Sequence, residues 1–259
     1  MRPPRKPSEK VAARNEGLVE RIREIKAAHP FWGYRRAWAH LRFIDKLPFN
    51  KKRVQRLMQL HGLAVKPDTK LKAARTESPK PRPTRPDEWW GIDMTKVLVN
   101  GLGWIYIVIV LDWYTKKVVG HKAGLRSKSS DWLEALDMAV NRQFPDGARD
   151  KGLNLMSDNG CQPTSISFMK ACGTLGVHQA FTSYNNPKGN ADTERFMRTM
   201  KEECLWLTEW TSYNELVKDL KNWIEYYNGQ YLHSALGYKP PRQFETEFHE
   251  SHNTLLVVA

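Results

Sequence analysis

The 259-residue chain is short of several things, and each shortage excludes a class of protein. No run of eighteen apolar residues occurs, so no transmembrane helix is expected. The start, Met1-Arg2-Pro3-Pro4-Arg5-Lys6, is basic with no apolar stretch behind it, unlike a secretory signal. There are only three cysteines, Cys161, Cys172 and Cys204, and no CxxC spacing, which argues against a disulfide framework and fits a reducing cytosol. Eight histidines form no His/Cys finger, and His249 and His252 have no cysteine pair beside them, so a structural zinc is not expected. Acidic residues are scarce at one end. Residues 1–86 hold 23 Lys+Arg against 7 Asp+Glu, a balance of +16, whereas the remainder of the chain carries −3. A merely soluble protein would spread its charge, so a basic block of this kind points to a polyanion partner.

The basic block reads as three short helices. Leu18, Ile22 and Ile25 recur at helical spacing, predicting a helix over about 11–28 that stops at Pro30. Tyr34, Ala37, Trp38 and Leu41 predict a second helix ending before Pro48. Asn50 can cap a third, with Val54, Leu57 and Met58 inward and Gly62 past its end. On the opposite face of that third helix Lys52, Gln55, Arg56 and Gln59 form a stripe at i, i+3, i+4, i+7. Long donors there suit phosphates and purine edges in a major groove. One such stripe alone would be an ordinary solvated face. The helix pair joined through Ile44–Phe49 and the +16 block tip the reading to a helix-turn-helix-like DNA-binding domain over 1–63. Residues 64–86, with Pro67, Pro79, Pro81, Pro83 and Pro86 among cations, read as a linker.

From Trp89 the composition changes. Trp90–Val99 and the β-branched run Trp104–Leu111 predict strands, turned at Gly101 and Gly103, and a third starts near Lys117. Residues 128–142 predict a helix with Trp132, Leu133, Leu136 and Val140 on one side. A strand over Leu153–Ser157, a helix over 164–175 around Ile166, Met169 and Leu175, and a strand over Val177–Thr182 follow, and then a helix carrying Glu194. The order β-β-β-α-β-α-β-α matches an RNase H-like mixed five-stranded sheet, whose first and fourth strands are neighbours. Asp93 within the first strand and Asp158 after the fourth would then meet, and a helix across the sheet could deliver Glu194.

Three carboxylates so placed suit phosphodiester chemistry. Two divalent ions can activate the attacking oxygen and stabilise the leaving one, and magnesium favours carboxylate oxygens over nitrogen or sulfur. Each acid has a plainer reading. Asp158-Asn159-Gly160 is a turn signal by itself, Glu194 one acid among several on its helix, and Asp93 a strand-edge charge. Asp112 rivals Asp93 for first place, but it leads into a turn. Further on, Ser212-Tyr213-Asn214-Glu215 has the capping-box pattern, followed by a helix with Leu216, Leu220, Trp223 and Tyr227 on one face, read as core packing. His233 reads as a packed histidine. Residues 249–259 carry no readable function.

Several segments together resemble a known family. These are His29-Pro30-Phe31-Trp32-Gly33-Tyr34-Arg35-Arg36, Asn50-Lys51-Lys52-Arg53-Val54, Trp90-Gly91-Ile92-Asp93-Met94-Thr95, Ser157-Asp158-Asn159-Gly160, Asn186 through Phe196 with Lys201 seven residues past Glu194, Tyr226-Tyr227-Asn228, and His233 through Pro240. The chain is similar to OrfB-type DDE transposases of the bacterial IS-three insertion-sequence family, related to retroviral integrases. The resemblance implies that Asp93, Asp158 and Glu194 are the catalytic, metal-binding triad, served by two magnesium ions with manganese as a substitute. It implies strand cleavage and transfer on terminal inverted repeats and target DNA by a multimer in the bacterial cytoplasm, on the nucleoid. The family often makes a longer fusion with the product of an upstream frame. Lys188, Arg198 and Lys201 are further expected DNA contacts, Lys201 holding a phosphate near the metals. Arg198 would share its stripe, with Phe196, Met200, Cys204 and Leu207 on the core side. Cys161 and Pro163 depart from the residues usual in the second motif. The expected organisation is 1–63 DNA-binding, 64–86 linker, 87–209 catalytic core and 210–259 a C-terminal helix and tail. A nuclease that cuts without joining, and a DNA-binding protein with a dead core, are the alternatives.

Overall fold

A computed structural model describes residues 9–65, 81–182 and 189–257. The chain divides into two compact units, Met1–Lys72 and Ala73–Ala259.

The first unit is helical: α1 (Glu9–Ala28), α2 (Tyr34–Ala39), continued by a wider π-type turn (His40–Ile44), and α3 (Lys51–Leu60). Its core is built from Leu18, Val19, Ile22 and Ile25 of α1, Ala37 and Leu41 after it, and Val54, Leu57 and Met58 of α3, all buried. The Asn50 side chain accepts from the Lys52 amide at 2.8 Å, so α3 begins where the cap residue predicts. Arg21 closes a forked pair on Asp45, and Arg53 donates to Asn15, tying the helices at their rims.

The second unit is a five-stranded sheet: β1 (Trp89–Val99), β2 (Gly103–Asp112), β3 (Val118–Gly124), β4 (Asn154–Ser157) and β5 (His178–Phe181), in the order β3-β2-β1-β4-β5. β1 is antiparallel to β2 and parallel to β4, as the element order requires. On one face α4 (Ser129–Gln143) and α5 (Ile166–Leu175) cover Trp90, Ile92, Val108, Val110 and Leu155. α4 approaches so closely that a Cβ on Gly120 would stand 2.1 Å from the Ala135 carbonyl oxygen. The other face receives α6 (Ala191–Met200), which runs into a π-type turn (Lys201–Leu205), and α7 (Tyr213–Gln230).

Some side-chain assignments differ from expectation. α5 buries Phe168 and Cys172, while Ile166 and Met169 are exposed. The wide Phe168 ring fills the space against Trp132, and that fixes the rotation of the helix. Ser212 heads α7 without a side-chain cap, so its capping box does not form. Leu216, Leu220 and Tyr227 are buried and joined by Ile224, while Trp223 is half-buried and stacks on Tyr227. Leu207 lies beyond the π-type turn and is exposed, whereas Phe196, Met200 and Cys204 are buried.

α7 also seals a sheet edge. The Asn228 amide donates to the Val118 carbonyl and accepts from the Val118 amide, both at 2.9 Å, pairing the open side of β3 as a further strand would. The His233 ring packs on Tyr227 and Tyr231. α8 (Pro241–Val257) extends well into the stretch in which the sequence showed no function. It is held through Phe244 and Phe248 on Tyr114 and through Glu245, which accepts from Lys117 at 2.5 Å and Gln143 at 2.8 Å. No helix among the described residues is long and apolar enough to cross a membrane.

Candidate active site

Parallel pairing of β1 with β4 sets Gly91 opposite Met156. Two residues further along, Asp93 lies within β1, and Asp158 is the first residue past the end of β4. Asp93 is half-buried, and Asp158 lies exposed in the turn leaving β4. That turn is tied down on all sides. The Asp158 carboxylate accepts from the Gly160 amide at 3.1 Å, Asn159 donates to the Thr182 carbonyl at 2.7 Å, and Gln162 donates to the Ser127 carbonyl and hydroxyl, each at 3.2 Å.

The third acid arrives on α6, which crosses β1 at Gly91. A Cβ there would lie 2.0 Å from the Thr193 hydroxyl, 2.4 Å from Trp113 Nε1 and 2.9 Å from Asn190 Oδ1. Only glycine allows that approach. Trp113 Nε1 donates to the buried Thr193 hydroxyl at 3.0 Å, fixing the first turn of the helix, and Glu194 is the next residue. Glu194 is exposed at the helix head, and what desolvation it has raises its carboxyl above the ordinary range.

The electrostatics tie the three acids together. Burial holds the Asp93 carboxyl up to about 6 against the Met94 amide it accepts from. The charges of Asp158 and Glu194 push it further up, and that of Lys201 draws it down. Among the described residues, however, no three His, Cys, Asp or Glu side chains converge tightly enough to enclose an ion. Arg198 is taken up by Glu202 at 2.8 Å. Lys188 lies outside the described residues.

Asp112 is buried on every side and works locally. It accepts from the Tyr114 and Thr115 amides, both at 3.1 Å, and from the Thr115 hydroxyl, closing the turn after β2. Burial raises its carboxyl to about 7, opposed by the Thr115 hydroxyl. In the helical unit Lys52, Arg56 and Gln59 are exposed and Gln55 half-exposed on α3, one stripe opposite the buried Val54, Leu57 and Met58.

Comparisons with known proteins bear on the fold and the activity. Residues 83–187 and 175–241 match two models of the integrase core domain, and residues 13–70 match an HTH-like domain. The transposase for insertion sequence element IS904 of Lactococcus lactis is 28% identical over 208 residues, spanning 76% of this chain and 80% of that protein. The putative transposase InsK for IS150 of Escherichia coli is 29% identical over 228 residues, spanning 83% of this chain and 78% of its own. Integrase-core matches thus extend over residues 83–241, and the chain is a DNA transposase similar to those of insertion sequences. A chain in the simian T-cell lymphotropic virus intasome in complex with PP2A regulatory subunit B56 gamma shares the fold, with a TM-score of 0.54 at 15% identity over 86% of this chain and 74% of that one.

The transposase thus joins an HTH-like helical unit to a polynucleotidyl transferase core. It acts on DNA. Reading by residue type put Asp93 within the first strand and Asp158 just past the fourth, where the structure has them. It did not find Gly91, Trp113 and Thr193, which seat the glutamate helix, or the Gln162–Ser127 tie. Trp113 and Thr193 are 80 positions apart and Gln162 and Ser127 are 35 apart, so no local spacing signals either pair.

Proposed function

We propose that Asp93, Asp158 and Glu194 are the catalytic and metal-binding residues of this transposase, and that they cut and rejoin DNA strands at the terminal inverted repeats of its element. The observation that carries this reading is the placement of Asp93 within β1, paired in parallel with β4, of Asp158 just past the end of β4, and of Glu194 on the helix that crosses β1 at Gly91. The charges of Asp158 and Glu194 act on the Asp93 carboxyl, and a divalent cation bound among the three would relieve that repulsion. The donor set is all carboxylate oxygen, which suits two magnesium ions, with manganese as a substitute. When bound, such ions activate the attacking oxygen and stabilise the leaving one.

The rest of the work falls to the chain itself. β1 and the turn after β4 carry two acids, and the Trp113–Thr193 bond and the Gly91 approach orient the third. Lys201 holds a DNA phosphate beside the acids, and Arg198 and Lys188 extend the contact along the strand. Lys52, Gln55, Arg56 and Gln59 on α3 read the element end in a major groove. Residues 1–63 form the DNA-binding domain, 64–86 the linker, 87–209 the catalytic core and 210–259 its C-terminal support. A multimer assembles on two ends and the target, in the cytoplasm on the nucleoid, acting alone or as a fusion with an upstream-frame product.

The test is a joining assay with purified full chain, its own element end and a naked target plasmid in magnesium. Joined product is expected. Cleavage without joining would make the protein a nuclease, and binding without cleavage a DNA-binding protein with a dead core.

A further inference from the structure

Helix α4 covers only part of its face of the sheet. Trp90, Ile92, Val108 and Val110 lie beneath it, and Met94 is packed at its margin. Past Met94 the same face of β1 and β2 continues uncovered. Lys96 pairs across the strands with Tyr106, and Leu98 with Trp104. Leu98 is 50% and Trp104 48% exposed, an unusual state for large apolar side chains on two interior strands of a sheet. The Lys96 ammonium lies 4.6 Å from the centroid of the Trp104 ring. β3 brings Gly124 level with Tyr106, and the connection that follows carries exposed Arg126 and Lys128. Among the described residues Lys96, Arg126 and Lys128 take part in no ion pair.

We propose that this face is a platform for unpaired DNA, on which bases stack against Trp104 and Tyr106 while the three cations take phosphates. Trp104 and Tyr106 are two residues apart on one strand, so their side chains rise from the same face about 7 Å apart. Stacking on aromatic faces beside a cationic track is how single strands are held without regard to sequence. A duplex would present only its phosphates here and leave Trp104 and Leu98 without a partner. A two-fold contact with a second copy would set the three cations against the same three, which disfavours that occupant. Met94 follows Asp93 directly, so the platform lies on the sheet face opposite the Asp93 side chain. The two sides are linked at one end of the sheet, where Ser127, between Arg126 and Lys128, accepts from Gln162 in the loop after Asp158. An unpaired strand passing that loop could be laid along the platform.

The inference rests on the chain acting on DNA ends, and the experiment separates the two. Anisotropy of the full chain is measured on a blunt element end and on the same end carrying an unpaired tail. The wild type is expected to bind the tailed end about tenfold more tightly, within what one stacked base contributes. Trp104→Ala and Lys96→Glu should lose that gain and keep blunt-end affinity, and Trp104→Phe should restore part of it. Lys96→Glu, an exposed change, carries the test if Trp104→Ala fails to fold. Absence of a tail preference in the wild type, or its persistence in folded Lys96→Glu, overturns the platform. Loss of a concentration-dependent dimer in either variant, with the tail preference intact, makes the face a contact between copies instead. Failure of the wild type to bind even the blunt end would refute the DNA-end reading itself.

Discussion

The two units place their proposed functional residues by opposite means. In the helical unit the stripe Lys52, Gln55, Arg56 and Gln59 belongs to one ten-residue helix, and its spacing follows from helix geometry alone. In the core the three acids come from a strand, a turn and a helix: Asp93 within β1, Asp158 past the end of its parallel neighbour β4, and Glu194 on a helix seated on glycine. Binding residues placed locally can be changed one at a time with graded loss. A site assembled from distant segments depends on every element that aligns it. The two units should therefore fail differently, and each expected outcome below tests that contrast.

The largest effect is expected at the acids. Asp93→Asn, Asp158→Asn and Glu194→Gln keep shape and remove charge, and each should lower strand transfer by more than about a thousandfold while end binding persists. Asp112→Asn should retain transfer, because Asp112 closes a buried turn. Transfer surviving in Asp93→Asn and lost in Asp112→Asn would reverse that assignment.

A smaller loss should follow from disturbing alignment alone. Gly91→Ala puts a methyl where Thr193 and Trp113 stand. A displacement of about 1 Å in the helix bearing Glu194 should cost roughly a hundredfold in transfer rate, with binding by the helical unit unchanged. Thr193→Val removes the partner of the buried Trp113 N–H and should raise the magnesium concentration needed for half-maximal rate. An unchanged magnesium requirement in Thr193→Val would show that the bond supports only the fold.

Deleting residues 1–63 should do the converse. End affinity and its salt dependence should fall together, since fewer phosphates release counterions. The core should still melt cooperatively, because its buried residues lie in the second unit. Equal affinity and an equal salt slope would reduce the basic block to a solubility feature.

What could be seen beforehand follows the same division. The strand order and the position of Asp93 were legible because buried strands read as apolar runs and Asp93 stands within one. The α3 stripe and its Asn50 cap were legible because helix faces and caps are local signals. The rotation of α5 was not, because Ile166, Phe168, Met169 and Cys172 are all apolar, and tertiary fit with Trp132 selects among them. Nor was the seat of α6, because nothing near Gly91 in the chain announces Trp113 or Thr193. α8 escaped notice because its anchors, Glu245, Phe244 and Phe248, find their partners on Lys117, Gln143 and Tyr114.

The smallest effect concerns stability alone. Burial raises the Asp112 carboxyl to about 7 in the folded chain, while in the unfolded chain it titrates in the ordinary carboxylate range. Its stabilising contribution is thus full below that range and is lost as pH rises through about 7. Between those limits the unfolded chain has released the proton and the folded chain keeps it. Unfolding free energy should then fall by at most about 1.4 kcal/mol per pH unit from this group. Asp112→Asn should flatten that descent in denaturant titrations, and slopes identical to wild type would contradict the burial argument.

The central claim, that Asp158 holds a metal beside Asp93 and Glu194, is tested most directly by exchanging its donor atom. Asp158→Cys replaces a hard oxygen with a soft thiolate, which magnesium binds poorly and manganese accepts more readily. Strand transfer by this variant should vanish in magnesium and return in part in manganese, with end binding unchanged in both. Wild-type rates in magnesium would contradict a metal role for Asp158, as would equal loss in both metals by a protein that still binds its ends.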